Sequence, residues 1–233
     1  MTSDTGLLVL LRHGYSLWNQ QRRFTGWTDV ELCEHGWAQT LDAGRLIGNR
    51  GIKLDEVHTS VLQRTYLMVD QLLQSAGHPD IPRHTSWRLN ERHYGQLQGI
   101  AKEDIFATWG EQIAHGWWRG YYQKPPPLDW NDLRHPRFDP LYADLDPAML
   151  PDSESLFNCQ QRLLPYWQDI LLPRLADQRN LLVISHGNTL RGLIMHLEKI
   201  PAEEVGKLEV PSGLPLLYRF DNTMQVSERT WLK

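Results

Sequence analysis

Cysteine is scarce. The 233 residues include two, Cys33 and Cys159, far apart and outside any CxxC or Cys/His ligand spacing. That argues against a disulfide scaffold and a cysteine-based zinc site, and two reduced thiols in a cytoplasmic protein are expected. Long apolar runs are lacking too, none approaching the roughly 18 residues that span a bilayer, so no membrane partner is expected. The opening MTSDTG is polar and acidic, unlike a signal or transit peptide. Nor is there a surplus of positive charge. With 24 lysines and arginines against 28 aspartates and glutamates the net charge is −4, which offers no footprint for nucleic acid. The sequence has no P-loop, no HExxH and no aspartate cluster of the magnesium-binding type, so no metal is expected.

What is present suits one large domain, or a domain carrying an insertion. The hydrophobic fraction is 41%, enough for a sizeable core. GLLVLL at 6–11 reads as a strand buried on both faces, the type found in parallel sheets. Residues 34–50 place Trp37, Leu41, Gly44 and Ile47 at helical spacing, LDEVHTS at 54–60 suggests a short strand, and 62–77 a helix ended by Gly77 and Pro79. NLLVISHGN at 180–188 repeats the opening pattern of apolar strand, histidine and glycine, and runs into a helix, TLRGLIMHLEK. LPLLYRF and MQVSERTWL follow as a final strand pair, with Asp221-Asn222 in the turn. The alternation predicts an α/β fold: a three-layer α/β/α sandwich with a mostly parallel central sheet. Residues 95–150 are aromatic-rich, contain PPP at 125–127 and lack a periodic core of their own. They read as an insertion over the active-site edge of a single domain spanning 1–233. The ten tryptophans are expected mostly in the core or in cleft walls.

The chemistry gathers where strands end. Ligands of open α/β sheets collect at the carboxyl edge, and two strands here finish in histidine followed by glycine: His13, preceded by Arg12, and His186. Arg64 opens the helix after TSV, where backbone amides also favour anions. WRLNERHYGQLQG at 87–99 adds Glu91, Arg92, His93 and Tyr94. Two arginines and two histidines describe a place for a dianionic tetrahedral group, because arginine forks hold phosphate bidentately and stay charged. Neutral imidazole can attack phosphorus. Phosphoryl transfer otherwise needs mainly positioning and neutralisation of the equatorial oxygens.

Taken in order, RHG, RFTGWTDVEL, TSVLQRT, WRLNERHYGQLQG, PPP, DSESL and SHGNTLRG cover roughly residues 7–220. In these motifs the chain resembles the cofactor-dependent (2,3-bisphosphoglycerate-dependent) phosphoglycerate mutases of the histidine phosphatase superfamily. The resemblance implies a phosphoglycerate mutase-like fold and a glycolytic and gluconeogenic isomerase acting on 3- and 2-phosphoglycerate. It makes His13 the phosphorylated residue, with Arg12, Arg64 and His186 holding the phosphoryl group and Glu91 exchanging the substrate's proton. It further implies that Asn19, Thr25, Gly26, Arg92, Tyr94, Lys102, Arg119, Gly187 and Asn188 bind the phosphoglycerate or line its pocket. By the same resemblance 2,3-bisphosphoglycerate primes the phosphohistidine, no metal is needed, and the protein is a cytoplasmic homo-oligomer, dimer or tetramer. The alternative is a phosphomonoester phosphatase of the same fold using the same phosphohistidine.

Three departures stand out. Tyr15 occupies the position of a usual glutamate, and Gly120 that of the second residue of an Arg-Arg pair. The chain also ends at Lys233, soon after the last strand, where such mutases commonly continue into a mobile tail. Since excluding water separates transfer from hydrolysis, these departures are expected to shift the balance toward phosphatase activity.

Overall fold

In strand β1, Leu8–Arg12, the side chains of Leu8 and Leu10 enter one core while those of Val9 and Leu11 enter another. This is the period of two that a pleated strand imposes, and here both faces are apolar. The computed structural model describes residues 5–78 and 80–233, so the expectations placed on Met1–Asp4 and Pro79 lie outside the described residues. The other strands are β2 (Glu56–Thr59), β3 (Arg83–Thr85), β4 (Leu181–Ser185), β5 (Leu216–Phe220) and β6 (Val226–Trp231). They form one sheet in the order β3-β2-β4-β1-β5-β6. Strands β3, β2, β4 and β1 pair in parallel, and β5 runs antiparallel to both β1 and β6. The mostly parallel sheet and its layers match the expected sandwich.

Short helix α1 (Leu17–Gln20) is closed by a capping box between Ser16 and Asn19, and α2 (Glu34–Asn49) begins after Cys33. The helix expected over 62–77 is two pieces, α3 (Gln63–Tyr66) and α4 (Val69–Ala76), parted at Leu67 and Met68. Gly77 ends α4 in the left-handed region (φ 81°), as a C-terminal glycine should. Helices α2 and α4 cover one face of the sheet through Ala43, Ile47, Leu72 and Leu73, against Val57, Leu182 and Ile184. The opposite face is covered by α7 (Leu156–Tyr166), its continuation through a wide turn at Trp167–Leu171 into α8 (Leu172–Ala176), and α9 (Gly187–Glu198). Leu163, Leu171, Leu190 and Leu193 supply that layer.

Between the layers' ends, residues 95–150 contribute α5 (Lys102–Trp109) and α6 (Glu111–Arg119), followed by short 3-10 turns. Ile105 and Ala114 of these helices pack with Phe24, Tyr94 and Leu97 in a small separate cluster. Trp27 and Trp167 are buried, and Trp109 and Trp130, about half exposed at 49% and 54%, are the exceptions to the expectation that most lie in the core or in cleft walls. Cys33 and Cys159 are buried free thiols, and burial pushes the Cys159 thiol up to about 12.

Candidate active site

Strands β1 and β4 are neighbours with Arg12 beside Ser185, so the residues that follow them, His13 and His186, emerge side by side. The His13 amide donates to the Ser185 carbonyl at 3.1 Å, and the two imidazoles meet edge to face with centroids 5.0 Å apart. Strand β2 ends next to β4 and delivers Ser60, whose hydroxyl lies 2.8 Å from His186 Nε2. The carboxyl edge thus carries the histidine pair that the sequence placed there.

His13 is buried, and its Nδ1 lies 2.6 Å from the carbonyl oxygen of Gly14. A carbonyl only accepts, so Nδ1 carries the proton and the lone pair is on Nε2. Burial, then the charges of Arg64 and Arg12, hold the His13 imidazole well below the usual histidine range despite the Gly14 bond. The ring is neutral, with its Nε2 lone pair free. His186 is likewise held neutral by burial, Arg64 and His13, and its Nδ1 is buried without a hydrogen-bond partner.

The arginines are clamped by backbone carbonyls. Arg64 donates to Thr28 O at 2.9 Å and Gly26 O at 2.7 Å, and burial lowers it to about 10 even with Glu91 and Asp29 nearby. At the start of its helix Gln63 N donates to Asp29 Oδ1 and Leu62 N to Ser60 Oγ. One amide of the helix start is thus taken up by Asp29. Arg12 donates to Val210 O at 2.9 Å while its buried Nε has no partner. Its guanidinium carbon lies 3.3 Å from where a Cβ of Gly187 would stand, so that glycine makes room for the arginine. Glu91 is fixed through Oε1, which accepts from Arg92 N at 2.8 Å and Asn188 N at 3.1 Å. The latter amide belongs to the first turn of α9, where negative charge is favoured.

Around these groups lies a cavity of about 260 Å³. Of the residues expected at the site it is lined by Arg12, His13, Asn19, Thr25, Gly26, Arg64, Glu91, Tyr94, Lys102, Arg119, Gly187 and Asn188. His186 adjoins His13 edge to face and is not itself among the wall residues. Arg92 also is not: it is fully buried and donates to the carbonyls of Trp117 and Trp118 at 2.5 and 2.9 Å, its guanidinium over the Tyr94 ring. It holds the end of α6 from behind. Asn188 bridges Tyr94 Oη and Arg191 Nη1, and Lys102 sits 4.5 Å above the Trp118 ring. Burial and the cations Arg12 and Arg119 lower Lys102 to about 8.

The wall also contains Tyr15, Arg23, Phe24, Trp118, Arg191 and Glu209. Arg191 lies one helical turn past Gly187 within SHGNTLRG, a spacing that signals a shared face, and Arg23 immediately precedes FTGW. Glu209 has no such signal; it forms a 3.0 Å ion pair with Arg119. Six cationic side chains face two carboxylates in the wall, an arrangement suited to a small polyanion with more than one acidic group.

The sequence model of the histidine phosphatase superfamily (branch 1) matches residues 8–227. A 2,3-bisphosphoglycerate-dependent phosphoglycerate mutase of Nitratidesulfovibrio vulgaris is 47% identical over 94% of this chain and 88% of its own length. One from Nitrosococcus oceani is 42% identical over 97% and 94%. Among solved structures, a mycobacterial glucosyl-3-phosphoglycerate phosphatase overlays with a TM-score of 0.72 at 22% identity, covering 97% of this chain and 98% of the other. A putative alpha-ribazole-5'-P phosphatase of Escherichia coli overlays at 0.73 and 20% identity, covering 98% and 97%. At such identities these two structures speak for the fold. The chain belongs to the histidine phosphatase superfamily, branch 1, in the family of the 2,3-bisphosphoglycerate-dependent phosphoglycerate mutases.

Proposed function

We propose that this protein interconverts 3-phosphoglycerate and 2-phosphoglycerate through a phosphohistidine at His13. The observation that carries the reading is the Nδ1–Gly14 bond, which leaves a neutral Nε2 lone pair among Arg12, Arg64 and Glu91. The near full-length similarity to curated mutases supports the substrate. Nε2 attacks phosphorus as the bond from phosphorus to the donor's ester oxygen breaks, that oxygen taking its proton from Glu91, and the guanidinium groups of Arg12 and Arg64 take up charge on the equatorial oxygens. With Ser60 Oγ–H donating to His186 Nε2, the unpartnered Nδ1–H of His186 is left to donate to the same phosphoryl group. Glu91, with Oε1 held by two amides, exchanges the proton of the acceptor hydroxyl through Oε2.

2,3-Bisphosphoglycerate, when bound, supplies the phosphoryl group that primes His13. The cavity fits such a polyanion, since Arg12, Arg23, Arg64, Lys102, Arg119 and Arg191 line it. Those nearest His13 hold the phosphoryl end, while Lys102, Arg119 and Arg191 hold the distal acid. Asn19 and Thr25 orient the substrate: the buried Thr25 hydroxyl has no partner, and Asn19 keeps its amide nitrogen while Oδ1 accepts from Ser16 N. Arg92 acts indirectly, by seating Trp118 and Arg119. The reading extends to a cytoplasmic enzyme working as one domain with 95–150 as its cover, associated as a dimer or tetramer, which light scattering checks.

The deciding experiment supplies 3-phosphoglycerate with trace 2,3-bisphosphoglycerate and follows 2-phosphoglycerate and inorganic phosphate in parallel. Isomerisation should outpace phosphate release, and His13→Ala should abolish both. Phosphate release running ahead would make the protein a phosphatase, and survival of either activity in the variant would remove His13 from the mechanism.

A further inference from the structure

On the sheet face covered by α7 and α8, away from the cavity wall, lies a second group of ligating side chains that phosphoryl transfer does not use. Glu56 and His58 are two residues apart on β2, so the pleat turns both to one face. His84 of β3 stands beside His58 in the parallel register. One ligating atom from each of the three lies within 4.8 Å of the others. His58 Nε2 is 3.3 Å and His84 Nε2 3.4 Å from Glu56 Oε2, and the two rings stack with centroids 4.9 Å apart.

We propose that Glu56, His58 and His84 form a binding site for one divalent transition-metal ion of the zinc, cobalt or nickel class, which pins edge strand β3 to β2.

The geometry carries the assignment. A tetrahedron with metal–ligand bonds of roughly 2.0–2.1 Å has edges of about 3.3–3.4 Å, and the two nitrogen–oxygen separations already have that length. The remaining edge closes by a small turn of His84, whose side chain is 39% exposed. His58 is fully buried, and its Nε2 has no hydrogen-bond partner although it faces a carboxylate. Its other nitrogen, Nδ1, is 2.9 Å from the Tyr166 hydroxyl, the outer contact that fixes ring orientation in metal-bound histidines. Two imidazoles and one carboxylate leave a fourth position for water, and nitrogen donors select zinc-like ions over magnesium or calcium. Arg174 is the competing cation, with Nε 2.8 Å from Glu56 Oε2. Its side chain is one-third exposed, so it can pass to the other carboxylate oxygen when a metal enters. Strand β3 is three residues long and bonded only to β2, which is where a staple adds most.

The test titrates the chelator-treated full-length protein with Co²⁺, following visible d–d absorption, and measures thermal unfolding with and without Zn²⁺. One equivalent of Co²⁺ should develop the bands, and Zn²⁺ should raise Tm by linkage. His84→Ala, at a partly exposed position, should keep the fold and the phosphoglycerate turnover but bind Co²⁺ at least ten-fold more weakly and lose the Tm shift. Glu56→Gln should weaken binding as well. Absence of a stoichiometric Co²⁺ band in the unaltered protein, or equal affinity in His84→Ala, would overturn the site.

Discussion

The role proposed for Glu91 requires the segment carrying it to stay put, and one buried ion pair braces that segment. Arg162 of α7 donates to Glu154 through Nε and Nη2 at 2.7 and 2.9 Å, both side chains being buried. The same guanidinium donates to the carbonyls of Trp87, Arg88, Asn90 and Glu91. Burial alone would lower the Arg162 pKa; Glu154 more than offsets it, so the net direction is upward. Replacing Arg162 by Met strands the Glu154 carboxylate with one donor among these contacts, the His93 amide at 2.9 Å. Breaking a buried pair from one side costs about 3–5 kcal/mol. Four carbonyls that lose a donor add about 1 kcal/mol or more in total after partial rehydration. A loss of about 5 kcal/mol is therefore expected, a large part of the ~5–15 kcal/mol that stabilises a domain.

The double variant Glu154→Leu/Arg162→Met separates the terms. It removes the stranded charge and should lose only about 1–2 kcal/mol, because a buried pair replaced by apolar groups is often near neutral while the four carbonyls lose the Arg162 donor, three of them keeping another: Asn90 N on Trp87 O, Thr189 Oγ1 on Asn90 O and Trp27 Nε1 on Glu91 O. Urea unfolding followed by tryptophan fluorescence measures both, with Trp27 and Trp87 adjoining Arg162 as reporters. Isomerase assays under folding conditions should show kcat falling more than KM rises, since Glu91 shifts and the arginines stay. A single variant losing less than about 1 kcal/mol, or a double variant as unstable as the sum of its singles, would refute the reasoning.

Lys102 is lowered to about 8 by burial and neighbouring cations, so the free protein loses one positive charge of the cavity wall as pH rises through that value. Its kcat/KM should fall above about pH 8, and Lys102→Arg should carry the plateau higher; identical profiles would contradict this. His13, His93 and His186 are held neutral chiefly by burial, His93 down to about 3, whereas the unfolded chain protonates them near pH 6.5. Below that pH the unfolded state binds more protons, so stability should drop by up to about 1.4 kcal/mol per pH unit for each histidine, visible as a falling urea midpoint between pH 6.5 and 5. A Cβ at Gly120 would lie 2.5 Å from Gly116 O, so Gly120→Ala should destabilise by about 1–3 kcal/mol in the same unfolding assay.

Much of the fold was legible because its central strands announce themselves. The runs LLVLL at 7–11 and LLVI at 181–184 are apolar at every position, as a strand buried on both faces requires, and they are neighbours in the sheet. Strand β3 escaped notice because Arg83–Thr85 has no apolar residue and is an edge bonded on one side. The division of 62–77 was invisible for another reason. Leu62, Met68, Val69, Leu72 and Leu73 keep a helical spacing of apolar residues across the break, but Arg64 must turn inward to bond Thr28 and Gly26. Tertiary contacts overrode local propensity there. The wide turn at Trp167–Leu171 follows Pro165, whose missing amide interrupts the regular ladder, a signal the sequence did contain.

The site was legible to the extent that its residues sit in the first positions after a strand, where backbone geometry dictates direction. Arg92 adjoins Glu91 but does not line the cavity, because its guanidinium turns to the carbonyls of Trp117 and Trp118 at the end of α6. The same logic reorders the three departures from the mutase pattern. Gly120 looked like a lost cation beside the substrate, yet it lines a neighbouring groove with Tyr122 and Gln123 rather than the cavity. A side chain at that position starts toward Gln123 Oε1 and Gly116 O. Tyr15 is the departure that touches the chemistry. It lines the cavity, is 41% exposed at the rim, and leans its ring edge-on to His35. Where a glutamate would have set a third carboxylate against six cations, a neutral ring leaves the field more positive. Tyr15→Glu should therefore weaken binding of polyanionic substrates and raise KM for 3-phosphoglycerate. A lower KM in that variant would mean that the rim charge at this position serves something other than substrate attraction.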